Sequence, residues 1–186
     1  MCRCHSDPMG SLSDRPGWNR TILRVVMVVT SIPAAHWSMD VAMTDTPANQ
    51  LPRDAWEALP SLEQLKQHDI WGLRRAFLEG LLPGVKGKHV VEVGSGPAHD
   101  SLTFAERGAQ VTAVDCSQRG LQQASEIYES LNLSGHTVQC SATELPFADG
   151  SFDLAFNGGV LERFTDAQLE DVLDEIIRVD KPGVKG

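Results

Sequence analysis

The chain has 186 residues, 41% of them hydrophobic, which suits one soluble domain with a buried core and leaves little room for two. Its 16 basic and 25 acidic residues give a formal charge of −9 with no Lys/Arg cluster, which excludes nucleic-acid binding through a basic face. Four cysteines without regular spacing make no disulfide framework and point to a reducing, cytoplasmic setting.

Residues 1–50 carry scattered Pro, Gly, Ser and Asp with no sustained period, and read as a poorly ordered N-terminal extension. Met39 or Met43 would each suit as the start of the compact part. Cys2, Cys4 and His5 form a C-x-C-H tip, but no second ligand pair follows at a zinc-site spacing, so no metal is expected. The apolar stretch Thr21–Ala35 is interrupted by Arg24, and Val25–Val29 falls far short of the roughly 20 residues that span a bilayer. No membrane partner is expected.

Residues 51–186 read as the domain, with N-terminal helices within 56–82 and a strand-and-helix core over 88–186. Ser61 and Gln64 have capping-box spacing, Leu62, Leu65, Leu73, Phe77 and Leu81 recur with helical period, and Pro83-Gly84 ends the run. His89–Val93 (HVVEV) is a short β-branched strand, and Asp100–Gly108 a short helix stopped by its glycine. Gln110–Val114 is a second strand. Ser117 caps a helix whose inner face is Leu121, Ala124, Ile127, Tyr128 and Leu131, closing at Leu133-Ser134-Gly135. His136–Cys140 and Phe152–Phe156 supply two more strands. Thr165 and Gln168 repeat the capping-box spacing before a last helix with Leu169, Val172, Leu173 and Ile176 inward. This alternation predicts an α/β fold, a Rossmann-like doubly wound and mainly parallel sheet, with its ligand beyond the carboxyl ends of the strands.

The loop after the first strand reads E-x-G-x-G-x-A, from Glu92 through Gly94, Ser95 and Gly96 to Ala98. Glycines let the backbone lie against a nucleoside ligand, and amides at the next helix start can face an anionic group. The dinucleotide fingerprint G-x-G-x-x-G would need a third glycine where His99 stands. Asp115, at the end of the second strand, is placed to accept ribose hydroxyls, a feature shared by several nucleoside-binding enzymes.

The loop resembles the first motif of class I S-adenosylmethionine-dependent methyltransferases, commonly E/D-x-G-x-G-x-G, with Ala98 in the last glycine position. Cys140–Phe164 is similar to the small-molecule branch of that family, which reads G-D-A-x-x-L-P-F-x-D-x-S-F-D-x-V and then V-L-x-H. Ala142, Leu145, Pro146, Phe147, Asp149, Ser151, Phe152, Asp153, Val160 and Leu161 fall in register. The resemblance implies S-adenosylmethionine as cofactor, a small-molecule methyl acceptor, and a cofactor site of Glu92, Gly94, Ser95, Gly96, Asp115, Cys116, Ser141, Ala142 and Asn157. Ser141 stands where the family often has an acid for the adenine amino group, and Arg163 where histidine is common.

The segment around Lys181-Pro182-Gly183 is similar to the family's approach to a fifth strand, so the last strands of the fold are expected to be missing. A truncated, inactive or cofactor-binding-only relative is therefore one alternative, and a NAD-dependent oxidoreductase a second. No catalytic residue emerges: His99 beside the loop could take a proton from an acceptor but reads rather as an ordinary surface or capping histidine, and Trp56 and Trp71 suit core packing or a lid rather than an acceptor pocket.

Overall fold

Short β-branched runs bounded by polar turns build the sheet. In the computed structural model, residues 75–76, 78–82 and 84–182 are described. The expected extension, Trp56, Trp71 and most of the expected N-terminal helices lie outside them; residues 78–81 are helical.

Strands β1 (His89–Val93), β2 (Gln110–Asp115), β3 (Gly135–Gln139) and β4 (Leu154–Phe156) form a sheet in the order β3-β2-β1-β4, and every pairing is parallel. Helix α1 (His99–Ala105) joins β1 to β2, α2 (Gln118–Ser130) joins β2 to β3, and α3 (Asp166–Val179) follows β4. The chain winds outward from β1 to β3 and then returns to β4 on the far side of β1. Strand order thus reverses between β1 and β4, where such sheets open a crevice for ligands.

Alternation within the strands feeds two apolar layers. Val90, Val111 and Ala113 pack with Phe104, Leu121, Ala124 and Tyr128 of α1 and α2, while Val91, Val93 and Val114 pack with Val172, Leu173, Ile176 and Val179 of α3. Burial on both faces explains why β1 reads as an almost unbroken apolar run.

Element ends show where side-chain pattern yields to backbone geometry. Helix α1 starts at His99, after Ala98 in left-handed backbone and without a side-chain cap. Ser117 Oγ accepts the Gly120 amide at 3.2 Å, the expected cap of α2. That helix closes earlier than Leu133-Ser134-Gly135. Asn132, at φ +53°, turns the chain so that its amide and that of Leu133 reach Glu129 O and Tyr128 O at 3.0 and 2.9 Å. Leu131, expected inward, is therefore 45% exposed, and Leu133 packs on the core instead. Gly135 is required by this closure, since a Cβ there would collide with the Tyr128 ring. Thr165 and Gln168 form the expected reciprocal capping box.

Strand β4 begins at Leu154, two residues later than expected, because Phe152 pairs with the end of α3. Its amide donates to Val179 O at 3.0 Å and its carbonyl accepts from Lys181 at 2.8 Å. This brings the Asp180 carboxylate over the outer edge of β4, where Oδ1 accepts the Ala155 amide at 2.9 Å.

Burial pushes the Asp180 carboxyl up to about 6; the Ala155 amide opposes the shift and the Asp153 charge adds to it. An unfolded aspartate titrates at about 3.9, so between about pH 4 and 6 this carboxyl holds more proton in the folded chain than in the unfolded one, and its contribution to stability falls as pH rises. Asp180→Asn keeps an acceptor for Ala155 and removes the charge. After allowance for solvent screening it is expected to gain about 1–2 kcal/mol at pH 7 and to flatten this pH 4–6 slope. Urea denaturation across that range measures both.

Candidate cofactor-binding site

Because all four strands are parallel, the loops that follow them leave the same edge of the sheet. The loop after β1 is fixed by backbone: the Gly94 and Ser95 amides share Val114 O of β2 at 2.8 and 2.9 Å. Gly94, Gly96 and Ala98 have φ of +70°, +49° and +59°, so the small residues fall on alternate left-handed positions. Ala98, where the resembling family has glycine, keeps this conformation at a cost of about 1–2 kcal/mol.

Gly94 gives its room to the protein rather than to a ligand. A Cβ there would lie 2.7 Å from the Val160 Cβ, so the loop after β4 fills the space. Gly120, which the sequence reading missed, plays a matching part for Gly96, because a Cβ on it would stand 3.0 Å from the Gly96 Cα and carbonyl carbon. The only advance signal was a glycine inside a helical pattern, which usually has a packing reason.

Asp115 links the first two loops. Its Oδ2 accepts the Gly96 amide and its Oδ1 the Ser117 amide, each at 2.7 Å. A carboxylate offers about four lone-pair directions, so each oxygen retains one for a hydroxyl donor. The side chain is half-buried at the sheet edge, between the glycine loop and the start of α2.

Two expected contact residues occupy supporting positions instead. Glu92 is 3% exposed and faces α1, where its carboxylate accepts the Ser101 amide at 2.8 Å. The helix start that was expected to face a ligand anion is thus met by the chain's own carboxylate. Asn157 is fully buried: its Nδ2 donates to Val93 O and its Oδ1 accepts the Gly159 and Val160 amides at 3.0 and 3.1 Å. It ties the end of β4 to the end of β1 and holds Val160 against Gly94. In both cases burial, which one sequence cannot display, decides between contact and support.

Cys116 and Ser141 lie exposed after β2 and β3, Ala142 is half-buried, and Ser95 is buried in the glycine loop. The Cys140 amide donates to Asp115 O at 3.2 Å, extending the β2–β3 pairing toward these residues. Ser141 Oγ is within 2.8 Å of Thr143 Oγ1 and accepts the Thr143 amide at 3.2 Å, which makes it a turn former. Burial pushes the Cys140 thiol up, reinforced by the Asp115 and Glu175 charges, so it is no activated nucleophile. Among the described residues no group of three or more His, Cys, Asp and Glu side chains could hold a metal, and no helix is long and apolar enough to cross a membrane.

A parallel α/β sheet with a glycine loop after its first strand and a carboxylate closing its second defines an α/β architecture of Rossmann type. Residues 90–183, half of the chain, match the methyltransferase domain family, and the chain belongs to it. It is 37% identical over 154 residues to sterol methyltransferase-like 1 of Botryococcus braunii, covering 81% of this chain and 36% of that protein. It is 34% identical over 102 residues to a ubiquinone biosynthesis O-methyltransferase of Nitrosomonas europaea, covering 53% and 43%. The PH0226 protein of Pyrococcus horikoshii OT3 shares the fold with a TM-score of 0.57 at 24% identity, over 70% of this chain and 62% of that one. The chain spans less than half the length of the first curated relatives it matches, 36% and 44% for two of them.

Proposed function

We propose that residues 51–186 form a cytoplasmic S-adenosylmethionine-dependent methyltransferase domain that methylates a small-molecule acceptor. The observation that carries this reading is the Asp115 carboxylate, anchored by the Gly96 and Ser117 amides with an acceptor direction left on each oxygen. Such a carboxylate suits a pair of ribose hydroxyls. The left-handed loop from Gly94 to Ala98 lies beside this carboxylate through the Gly96 amide, and Cys116, Ser141 and Ala142 border the proposed position of the base.

When bound, S-adenosylmethionine supplies a methyl group on a sulfonium, already attached to a good leaving group. The protein then has to align the acceptor and exclude water; a dedicated acid or base is optional. The relatives whose names specify sterol or ubiquinone chemistry support a small-molecule acceptor, as does the acidic composition of the chain.

Isothermal titration with S-adenosylhomocysteine tests the proposal, with NADH titrated in parallel. One saturable site for the thioether nucleoside and none for NADH is expected. Tight NADH binding, or no heat with either, would contradict it.

A further inference from the structure

On the face of the sheet opposite α1 and α2, helix α3 presents an ion pair that the cofactor site does not itself include. Arg178 Nε and Nη2 donate to the two Glu175 carboxylate oxygens at 2.7 and 2.8 Å. Both side chains then reach backbone. Arg178 Nη2 donates to Leu145 O at 3.0 Å and Nη1 to Phe147 O at 2.7 Å, while Glu175 Oε2 accepts the Leu145 amide at 2.6 Å. Both polar groups of the Leu145 main chain are held by this one pair.

We propose that Glu175 and Arg178 are positioning residues for the base end of the nucleoside site, because they clamp the segment that carries Ser141 and Ala142. This rests on the cofactor reading given above. The mechanical link is short. The Glu144 amide donates to Ser141 O at 3.2 Å, so the turn holding Ser141 runs directly into the clamped Leu145. The clamp reads peptide groups, which fixes the path of the segment whatever its side chains are.

The further contact of Arg178 Nη1 with Asp149 at 2.9 Å matters less, since that carboxylate is 82% exposed and water screens it. Glu175 is held below the usual carboxylate range by its hydrogen bonds with Arg178, against the effect of burial and with help from the Leu145 amide, so the pair stays ionised at neutral pH. Removing Arg178 strips two carbonyls of their charged donor. Lysine, a single point charge, cannot reproduce the planar fork that serves both carbonyls and the carboxylate.

The test is titration calorimetry of S-adenosylhomocysteine into wild type, Arg178→Met, Arg178→Lys and Glu175→Ala, with amide hydrogen exchange on the ligand-free proteins. All are compared below the onset of each variant's thermal transition. Expected are about tenfold or greater weakening in Arg178→Met, a smaller but clear loss in Arg178→Lys, and a Leu145 amide protected in wild type and exposed in Glu175→Ala. Variants that melt earlier yet bind within twofold of wild type would overturn the proposal, because the clamp would then be purely structural. An unprotected Leu145 amide in wild type would overturn it as well. Should Arg178→Met fail to fold, Arg178→Lys and Glu175→Ala carry the same comparison. Absence of binding by wild type would instead bring down the cofactor reading, and the positioning role with it.

Discussion

Replacing Gly94 by alanine is expected to destabilise the domain by about 2–4 kcal/mol and to remove measurable nucleoside binding, since left-handed backbone and overpacking penalties add. The residue sits at φ +70°, and the new methyl would enter the space taken by the Val160 side chain. Neither side yields readily. The Gly94 amide is anchored to Val114 O at 2.8 Å, and the Val160 amide is held by the buried Asn157 at 3.1 Å. Any relief must displace the loop that approaches the ligand. Urea denaturation reads the stability loss, and the pair Gly94→Ala with Val160→Ala gives a double-mutant cycle. Partial recovery in the double variant is expected, because truncating Val160 removes its two Cγ atoms from the collision while its Cβ, 2.7 Å from the new methyl, and the left-handed backbone strain remain.

Asp115→Ala is expected to weaken S-adenosylhomocysteine binding by about 100-fold or more, because each hydrogen bond to a charged acceptor contributes roughly 1.5–3 kcal/mol and two hydroxyls are involved. The loss has a second source within the protein. Without the carboxylate, the Gly96 and Ser117 amides lose partners at 2.7 Å, and the glycine loop is no longer tied to the start of α2. Analogues separate the two contributions. Wild type should discriminate strongly against 2′-deoxy and 3′-deoxy forms of the ligand, whereas Asp115→Ala should bind all three with similar weakness. Unchanged discrimination in the variant would place the ribose elsewhere.

Much of the fold was legible because periodicity and capping are local. The limits of β1 were read from five residues, HVVEV, and both the Ser117 cap and the Thr165–Gln168 capping box form as their spacing suggests. Errors arose where backbone geometry intervenes at an element end. Leu131 belongs to the apolar pattern of α2, yet the left-handed turn at Asn132 puts it outside and substitutes Leu133. Phe152 reads as strand, yet its partner is the end of α3, far along the chain.

The site was less legible than the fold for a related reason. Motif positions identify residues that matter without saying which way their side chains point. Glu92 and Asn157 stand in the expected segments but are turned into the protein, one at the start of α1 and the other between β1 and β4. Gly120 packs on Gly96, and the i,i+3 pair Glu175–Arg178 grips Leu145 about thirty residues away, contacts that only the folded chain brings together.

The central claim is that a nucleoside lies across the carboxyl ends of β1 and β2, with Asp115 on its sugar. Amide chemical-shift mapping on isotope-labelled protein titrated with S-adenosylhomocysteine addresses it most directly, since each candidate position reports separately. Saturable shifts largest at Gly94, Ser95, Gly96, Asp115 and Cys116, and smaller ones at Ser141 and Ala142, are the result this account predicts. Saturable shifts centred on another face of the sheet, or none at these amides, would contradict it.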